Sequence, residues 1–339
     1  LIMTNAVCLG STVRPSDITI TNQFSVEKLE RFLVQVQRWN GPVSSALYIR
    51  HIKDLLKFQS FLLKNLESLR QVSFHLYFDN SRSHSAHPYP NNVLRNLALD
   101  NVKTNYFLLM DIDLFTTPGR THDGIQSLLR DDGTIVDKMN SKTMFVLPAF
   151  EHTKVIPDSR LSADYWSFPM NKKDVKKMYE DDVTPQFKAS NDNGHGSSNY
   201  TKWISNQTDA SYPINFKFGF EPYVMGAKKS IPRFYDFFRG YGFNKLSWFT
   251  ELHLAGYKYE VLRDYFVFHA NHVPSYDGTD KRHQLKQNAV CAKGFIDGLV
   301  DSYGDVADEV LYEWKSTYRK EGSTFGIFGH FGIFAYFGI

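Results

Sequence analysis

Tyr106-Phe107-Leu108-Leu109-Met110-Asp111-Ile112-Asp113 is an apolar run that ends in two acids. An unbroken apolar run of this length marks a strand buried on both faces, as strands of parallel α/β sheets are. Ligands of such sheets bind outside the carboxyl ends of the strands. Residues i and i+2 of a strand share a face, so the spacing predicts that Asp111 and Asp113 project together. Two hard oxygen donors side by side suit Mg²⁺ or Mn²⁺. An ion held there can bridge a diphosphate and offset its charge as it leaves. Thr116-Thr117-Pro118-Gly119 then turns the chain.

Upstream of this stretch, strand and helix signals alternate. Asn5 to Leu9 reads as a strand. Val26, Leu29, Phe32, Leu33, Val36 and Trp39 recur at helical spacing behind Ser25, and Gly41-Pro42 stops that helix. Val43 to Ile49 reads as a strand, Ile52 to Leu66 as a helix, Val72 to Phe78 as a strand and Asn91 to Leu99 as a helix. Four strands separated by helices imply a mostly parallel sheet covered on both faces. Downstream, residues 150 to 215 lose periodicity and read as long loops of the kind that bind or cover ligands. Order returns at Pro222 to Met225, with a helix from Asn244 to Ala255 and strands near Tyr259 to Leu262 and Phe266 to Phe268.

The composition fits an ordinary globular chain. Of 339 residues, 42% are apolar, enough for a sizeable core, and the net charge of +3 offers no electrostatic case for nucleic acid. Cys8 and Cys291 are too few for a disulfide scaffold or a zinc cluster, and two unpaired thiols are favoured. The chain opens at Leu1 and enters an apolar segment almost at once, which predicts truncation. The tail from Gly326 repeats Phe-Gly-Ile and is too short to span a membrane.

Other residues carry candidate chemistry. Phe266-Val267-Phe268-His269 is a short strand ending in an imidazole, a borderline ligand for Mn²⁺, and His272 competes for the role. Glu251 lies on the helix after the glycine-bearing stretch Arg239 to Asn244, where it can serve as general base on an acceptor hydroxyl; Glu221 is the second candidate. Asn199-Tyr200-Thr201 and Asn206-Gln207-Thr208 match the N-glycosylation pattern. Tyr223, Trp248 and Trp203 are candidates to stack on sugar faces.

Assembled in order, these segments resemble a known family. Tyr89 to Asn96, Met110 to Asp113, Val146 to Glu151, Pro169 to Lys172, Phe220 to Tyr223, Tyr241 to Lys245 and Glu251 to Gly256 carry the likeness. Together they resemble the glycosyltransferases that include the glucuronyltransferase domain of LARGE and a beta-1,4-glucuronyltransferase of the dystroglycan glycan pathway. The resemblance covers roughly Asn5 to Tyr303 and implies an α/β GT-A nucleotide-sugar transferase fold, its mostly parallel central sheet carrying helices on both faces. A single domain over 1–320 is expected, with 5–150 binding the nucleotide sugar, 151–303 the acceptor, and 321–339 a low-complexity tail.

The resemblance further implies inverting, Mn²⁺-dependent transfer from a UDP-sugar to a glycan acceptor. Glucuronic acid is the donor sugar it favours. Asp111 and Asp113 match the family's metal pair, and His269 falls at the late His that completes the site. Cys8, Leu9 and Gly10 fall where the uridine is held, and Ile112 lies between the two donor-binding acids. Relatives follow the late His with Lys-Gly, whereas Ala270-Asn271 stand here, so a lysine near the diphosphate is either missing or comes from elsewhere, such as Lys281. A donor carboxylate needs a cation, for which Arg95, Lys172, Arg239 and Lys245 are candidates. A Golgi type II membrane protein is implied, with its anchor before Leu1 and its catalytic domain lumenal; a homodimer is compatible. The competing readings are a catalytically inactive carbohydrate-binding module on the same fold and a metal-dependent phosphohydrolase, which would need a further His/Asp cluster.

Overall fold

A computed structural model describes residues 1–8, 13–79, 88–157, 161, 168–181, 183–188, 192–205, 209–272, 278–304 and 312. Leu9, Gly10, Asn206 and the 321–339 tail lie outside the described residues. In chain order the elements are β1 (Ile2–Cys8), β2 (Ile18–Ser25), α1 (Leu29–Trp39), β3 (Val43–Ile49), α2 (Ile52–Asn65), β4 (Val72–Phe78), α3 (Asn91–Asp100) and β5 (Tyr106–Leu109). Then come β6 (Leu114–Phe115), α4 (Thr121–Asp131), α5 (Gly133–Asn140), β7 (Thr143–Leu147), β8 (Ala149–Glu151), α6 (Lys172–Glu180), α7 (Asp192–His195) and α8 (Tyr200–Ile204). The last are β9 (Ser211–Ile214), β10 (Tyr223–Ala227), α9 (Asn244–Leu254), β11 (Lys258–Leu262), β12 (Val267–His269) and α10 (Gly278–Tyr303).

Nine strands form one sheet in the order β1-β4-β3-β2-β5-β10-β7-β11-β9, and β6, β12 and β8 form a second. The α/β class is borne out, and "mostly parallel" is corrected. In the large sheet four pairings are parallel and four antiparallel. The parallel block is β4-β3-β2-β5. Beyond it β10 inserts antiparallel between β5 and β7. Helices do cover both faces. Phe32 of α1, Phe58 of α2 and Ile125 of α4 pack with Ile20 and Leu108 on one side. Trp248 and Phe249 of α9 and Trp203 of α8 pack with Phe107 and Val146 on the other. Alternation along β5 explains both cores: Tyr106 and Leu108 face one, Phe107 and Leu109 the other.

The strand beside β5 is β2, which apolar periodicity does not predict. Thr19, Thr21, Asn22 and Gln23 blunt its apolar signal. Buried side-chain partners make Thr19 and Asn22 tolerable: Thr19 Oγ1 meets Thr104 Oγ1 at 2.7 Å, Asn22 Nδ2 donates to Gln35 Oε1 at 2.6 Å, and Ser45 Oγ donates to Asn22 Oδ1 at 2.6 Å. β1 instead forms an exposed antiparallel edge on β4.

Candidate active site

β5 ends at Leu109, so Asp111 and Asp113 lie in the turn that leads to β6 rather than in the strand. The Leu114 amide donates to the Asp111 carbonyl at 3.3 Å and closes this turn. The turn breaks the i, i+2 relation, and the two carboxylates part to different partners. α1 fixes the turn from below. Gln35 Nε2 donates to the carbonyls of Asp111 at 2.9 Å and Leu114 at 2.7 Å. Arg38 Nε donates to the Thr116 carbonyl at 2.6 Å, and Arg31 Nη1 to the Ala270 carbonyl at 3.0 Å. Arg31, Gln35 and Arg38 recur at i, i+4 and i+7, so they form one buried stripe of α1. The stripe is polar because it faces loop backbone, whose buried carbonyls require donors.

Asp111 takes the cations. Lys245 Nζ lies 2.9 Å from Oδ2 and Arg95 Nη2 lies 3.5 Å from Oδ1, while Tyr223 Oη donates to Oδ2 at 3.1 Å. Burial works to raise this carboxyl's pKa, but Lys245 and Arg95 outweigh it and hold it at about 2. Arg95 is itself held by Asn92 and Asn244, each at 3.0 Å. Lys245 also lies over the Tyr223 ring, 4.6 Å from its centroid.

Asp113 takes the imidazoles. His272 Nε2 lies 2.9 Å and His269 Nε2 3.3 Å from its Oδ2. Burial opposes ionisation, but bonds from the two rings hold Asp113 well below the usual carboxylate range. Ligand atoms of Asp113, His269 and His272 lie within 4.8 Å of one another. His269 ends β12, which pairs β6 on one side and β8 on the other, so the small sheet itself delivers it. On its other edge, His269 Nδ1 stands 3.6 Å from Glu151 Oε2, and the ring packs on Phe187 at 4.7 Å. Burial lowers the His269 pKa, and Asp113 and Glu151 reverse that to a net rise.

The structure thus brings Asp113, His269 and His272 together, and sets Asp111 beside them among cations. Ile112 lies between, partly buried against the core. Glu221 stands two residues before the start of β10, its amide donating to the Gly194 carbonyl, and its charge adds to the rise in the Tyr223 pKa. Glu251 lies elsewhere on α9, hydrogen-bonded with Tyr303 of α10; burial raises its pKa. Cys8 is on the edge strand against Ser73 Oγ, with β4, β3 and β2 between β1 and β5, so it is not brought to Asp111. Both cysteines are free thiols. Asn199 is exposed and caps α8 by accepting from the Lys202 amide at 3.0 Å.

Of the cations, Arg95 and Lys245 reach the site. Lys172 donates to the Arg263 carbonyl at 2.7 Å, the Arg239 amide donates to Asn288, and Lys281 lies over Tyr241. Trp203 and Trp248 are fully buried, their indoles bonded to the Leu262 and Pro232 carbonyls, which corrects the sugar-stacking expectation. Tyr223 is 2% exposed and acts through its hydroxyl instead. Gln35, Glu151 and His195 were given no role from sequence. Gln35 had a signal, a polar residue inside an apolar helical period; Glu151 had a weaker one, an acid closing an apolar run. His195 had none, and packs buried against Tyr223 and Phe187.

Residues 17–88 and 79–304 match the family described as glycosyl-transferase for dystroglycan. Xylosyl- and glucuronyltransferase LARGE1 of Gallus gallus is 30% identical over 284 residues, 82% of this chain and 34% of that protein. LARGE2s of Danio rerio is 32% identical over 267 residues, 77% of this chain and 32% of that protein. The chain therefore spans about a third of the length of these curated relatives. A crystal structure of GalNAc-T7 with UDP, GalNAc and Mn2+ aligns at TM-score 0.47 and 9% identity, over 87% of this chain and 49% of that one, too distant to bear on ligand or mechanism. With its match running through most of its length, the chain belongs to the family of glycosyl-transferases for dystroglycan.

Proposed function

We propose that this family member is an inverting transferase that moves glucuronic acid from its UDP-sugar to a glycan hydroxyl, with Mn²⁺ or Mg²⁺. One observation carries the reading: Asp113, His269 and His272 converge at the carboxyl end of the strand that the fold reserves for ligands. The donor set fits a divalent ion. One carboxylate and two imidazoles suit Mn²⁺ better than Mg²⁺. His269 Nδ1 is buried without a hydrogen bond and has Glu151 nearby, a carboxylate suited to orient a ligating ring. When bound, the ion supplies charge that offsets the diphosphate leaving group.

The remaining steps belong to this chain's own side chains. Lys245 and Arg95 offer donors to a diphosphate or a donor carboxylate at the Asp111 position. Of the two candidate bases we favour Glu221, which adjoins Tyr223 and through it Asp111, over Glu251, which is engaged by Tyr303. The base takes the acceptor hydroxyl proton, and attack opposite the leaving group inverts the anomeric carbon. A donor-binding 5–150 part, an acceptor-binding 151–303 part and a Golgi lumenal setting are carried into this proposal by the resemblance alone. Among the described residues, no helix is long and apolar enough to cross a membrane.

The test is UDP release from a panel of UDP-sugars, with Mn²⁺ and with EDTA, for the wild type and Asp113→Asn. The expected outcome is turnover of UDP-glucuronic acid that both EDTA and the substitution abolish. Mn²⁺ should also raise the melting temperature of the wild type and not of Asp113→Asn. Turnover indifferent to EDTA would overturn the metal assignment. Glycan binding without turnover of any donor would favour the inactive carbohydrate-binding module.

A further inference from the structure

His195 is a buried titratable group at the site that the proposed reaction leaves unused. It closes α7 and is 5% exposed. Its ring stacks on Tyr223, centroids 5.9 Å apart, and meets Phe187 at 5.0 Å. Tyr223 donates to Asp111, and Phe187 packs on His269. The ring therefore stands between the half of the site held by cations and the half held by imidazoles. Burial pushes its pKa well below 6.5, and Lys245 and Lys188 lower it further against the pull of Asp111. The imidazole is neutral at pH 7, with one nitrogen to donate and one to accept. A buried histidine ordinarily has these nitrogens satisfied. His75 does: Nδ1 accepts from the Asn5 amide and Nε2 lies 3.0 Å from Ser44 Oγ. Neither ring nitrogen of His195 has a hydrogen-bond partner among the described residues. Phenylalanine would stack on Tyr223 without two polar atoms to desolvate. Packing thus accounts for the ring and not for its nitrogens.

We propose that His195 hydrogen-bonds a hydroxyl of the donor sugar. A hydroxyl donates and accepts, as a neutral imidazole does, whereas an ionised diphosphate only accepts. The anion is also matched better by Lys245 and Arg95, which stand at Asp111. Position favours the donor sugar over the acceptor, because the ring lies between those cations and the Asp113, His269 and His272 cluster. A sugar joined to a diphosphate held by both would meet it. The inference rests on the transferase reading for the identity of the ligand, and it adds a residue that reads the sugar rather than the nucleotide.

The experiment measures binding of UDP-glucuronic acid and of UDP by calorimetry with Mn²⁺ present, together with UDP release. His195→Phe keeps the stack and removes both nitrogens; His195→Gln keeps a donor and an acceptor and gives up the stack. His195→Phe should melt at the wild-type temperature, raise the Kd for UDP-glucuronic acid about tenfold and leave that for UDP unchanged. His195→Gln should recover part of the lost affinity, which a purely structural role for the ring would not allow. Equal affinity of wild type and His195→Phe for UDP-glucuronic acid would overturn the proposal. So would an equal loss for UDP, since UDP carries no sugar, and so would a Gln variant weaker than the Phe variant. Sugar-dependent binding that needs His195, without UDP release by the wild type, would sink the transferase reading and leave the contact standing.

Discussion

Asp111 and Asp113 are two residues apart and live in different electrostatic surroundings. Asp111 is compensated by two fixed cations, and Asp113 by two imidazoles. Removing one cation should therefore hurt more than removing a surface charge. Lys245→Met leaves a partly buried carboxylate with Arg95 alone, and we expect a loss of about 1–3 kcal/mol in urea denaturation. Pairing it with Asp111→Asn should restore part of that loss, because the uncompensated charge is then gone. Equal stability of the single and double variants would show that the loss does not come from an uncompensated Asp111 charge.

At the scale of elements, the edge strand β1 is held by a buried histidine. His75 of β4 accepts from the Asn5 amide at Nδ1 over 2.9 Å, and its Nε2 lies 3.0 Å from Ser44 Oγ. Ser44 spends its own proton on the Ala98 carbonyl, so the ring must donate from Nε2 and stay neutral. Burial, then the charge of Lys103, lowers its pKa from 6.5 to about 4. The unfolded chain thus binds a proton across that window while the folded one does not. Stability is fully present above pH 6.5 and falls as pH drops toward 4. We expect a loss of about 2 kcal/mol between pH 7 and pH 5, largely absent in His75→Gln. Parallel pH profiles for the two proteins would count against this role.

For the whole molecule, the long helix α10 buttresses the loop that starts α9. Asn288 Nδ2 donates to the carbonyls of Arg239, Tyr241 and Gly242 at 2.7, 3.0 and 3.0 Å. Gly242 has φ +91, and a Cβ there would stand 2.6 Å from Leu285 Cδ1. The loop can follow this path only with glycine and with α10 in place. Three residues on, Lys245 reaches Asp111. Asn288→Leu should therefore lower stability by about 1–3 kcal/mol through unpaired carbonyls. It should also raise the KM for donor, measured by UDP release, although Asn288 touches no reacting group. An unchanged KM would mean that the loop holds its shape without α10.

Periodicity alone placed β3, α2, β4, α3, β5 and α9, because each has a regular apolar pattern that local chemistry expresses. The acids after β5 and the late histidine were legible for the same reason: each stands just beyond or at the end of an apolar run. β2 was not legible, since Thr19 and Asn22 interrupt its apolar signal and are tolerable only when Thr104, Gln35 and Ser45 come to meet them. The antiparallel insertion of β10 was hidden too, since strand direction is decided by how distant segments pack. The same limit governs the site. Sequence put Asp111, Asp113 and His269 into one metal set and named Arg95 and Lys245 only as candidate cations. Only the tertiary structure gave Asp111 to the cations and Asp113 to the imidazoles, because those contacts join residues 16 to 159 positions apart through a turn and a second sheet.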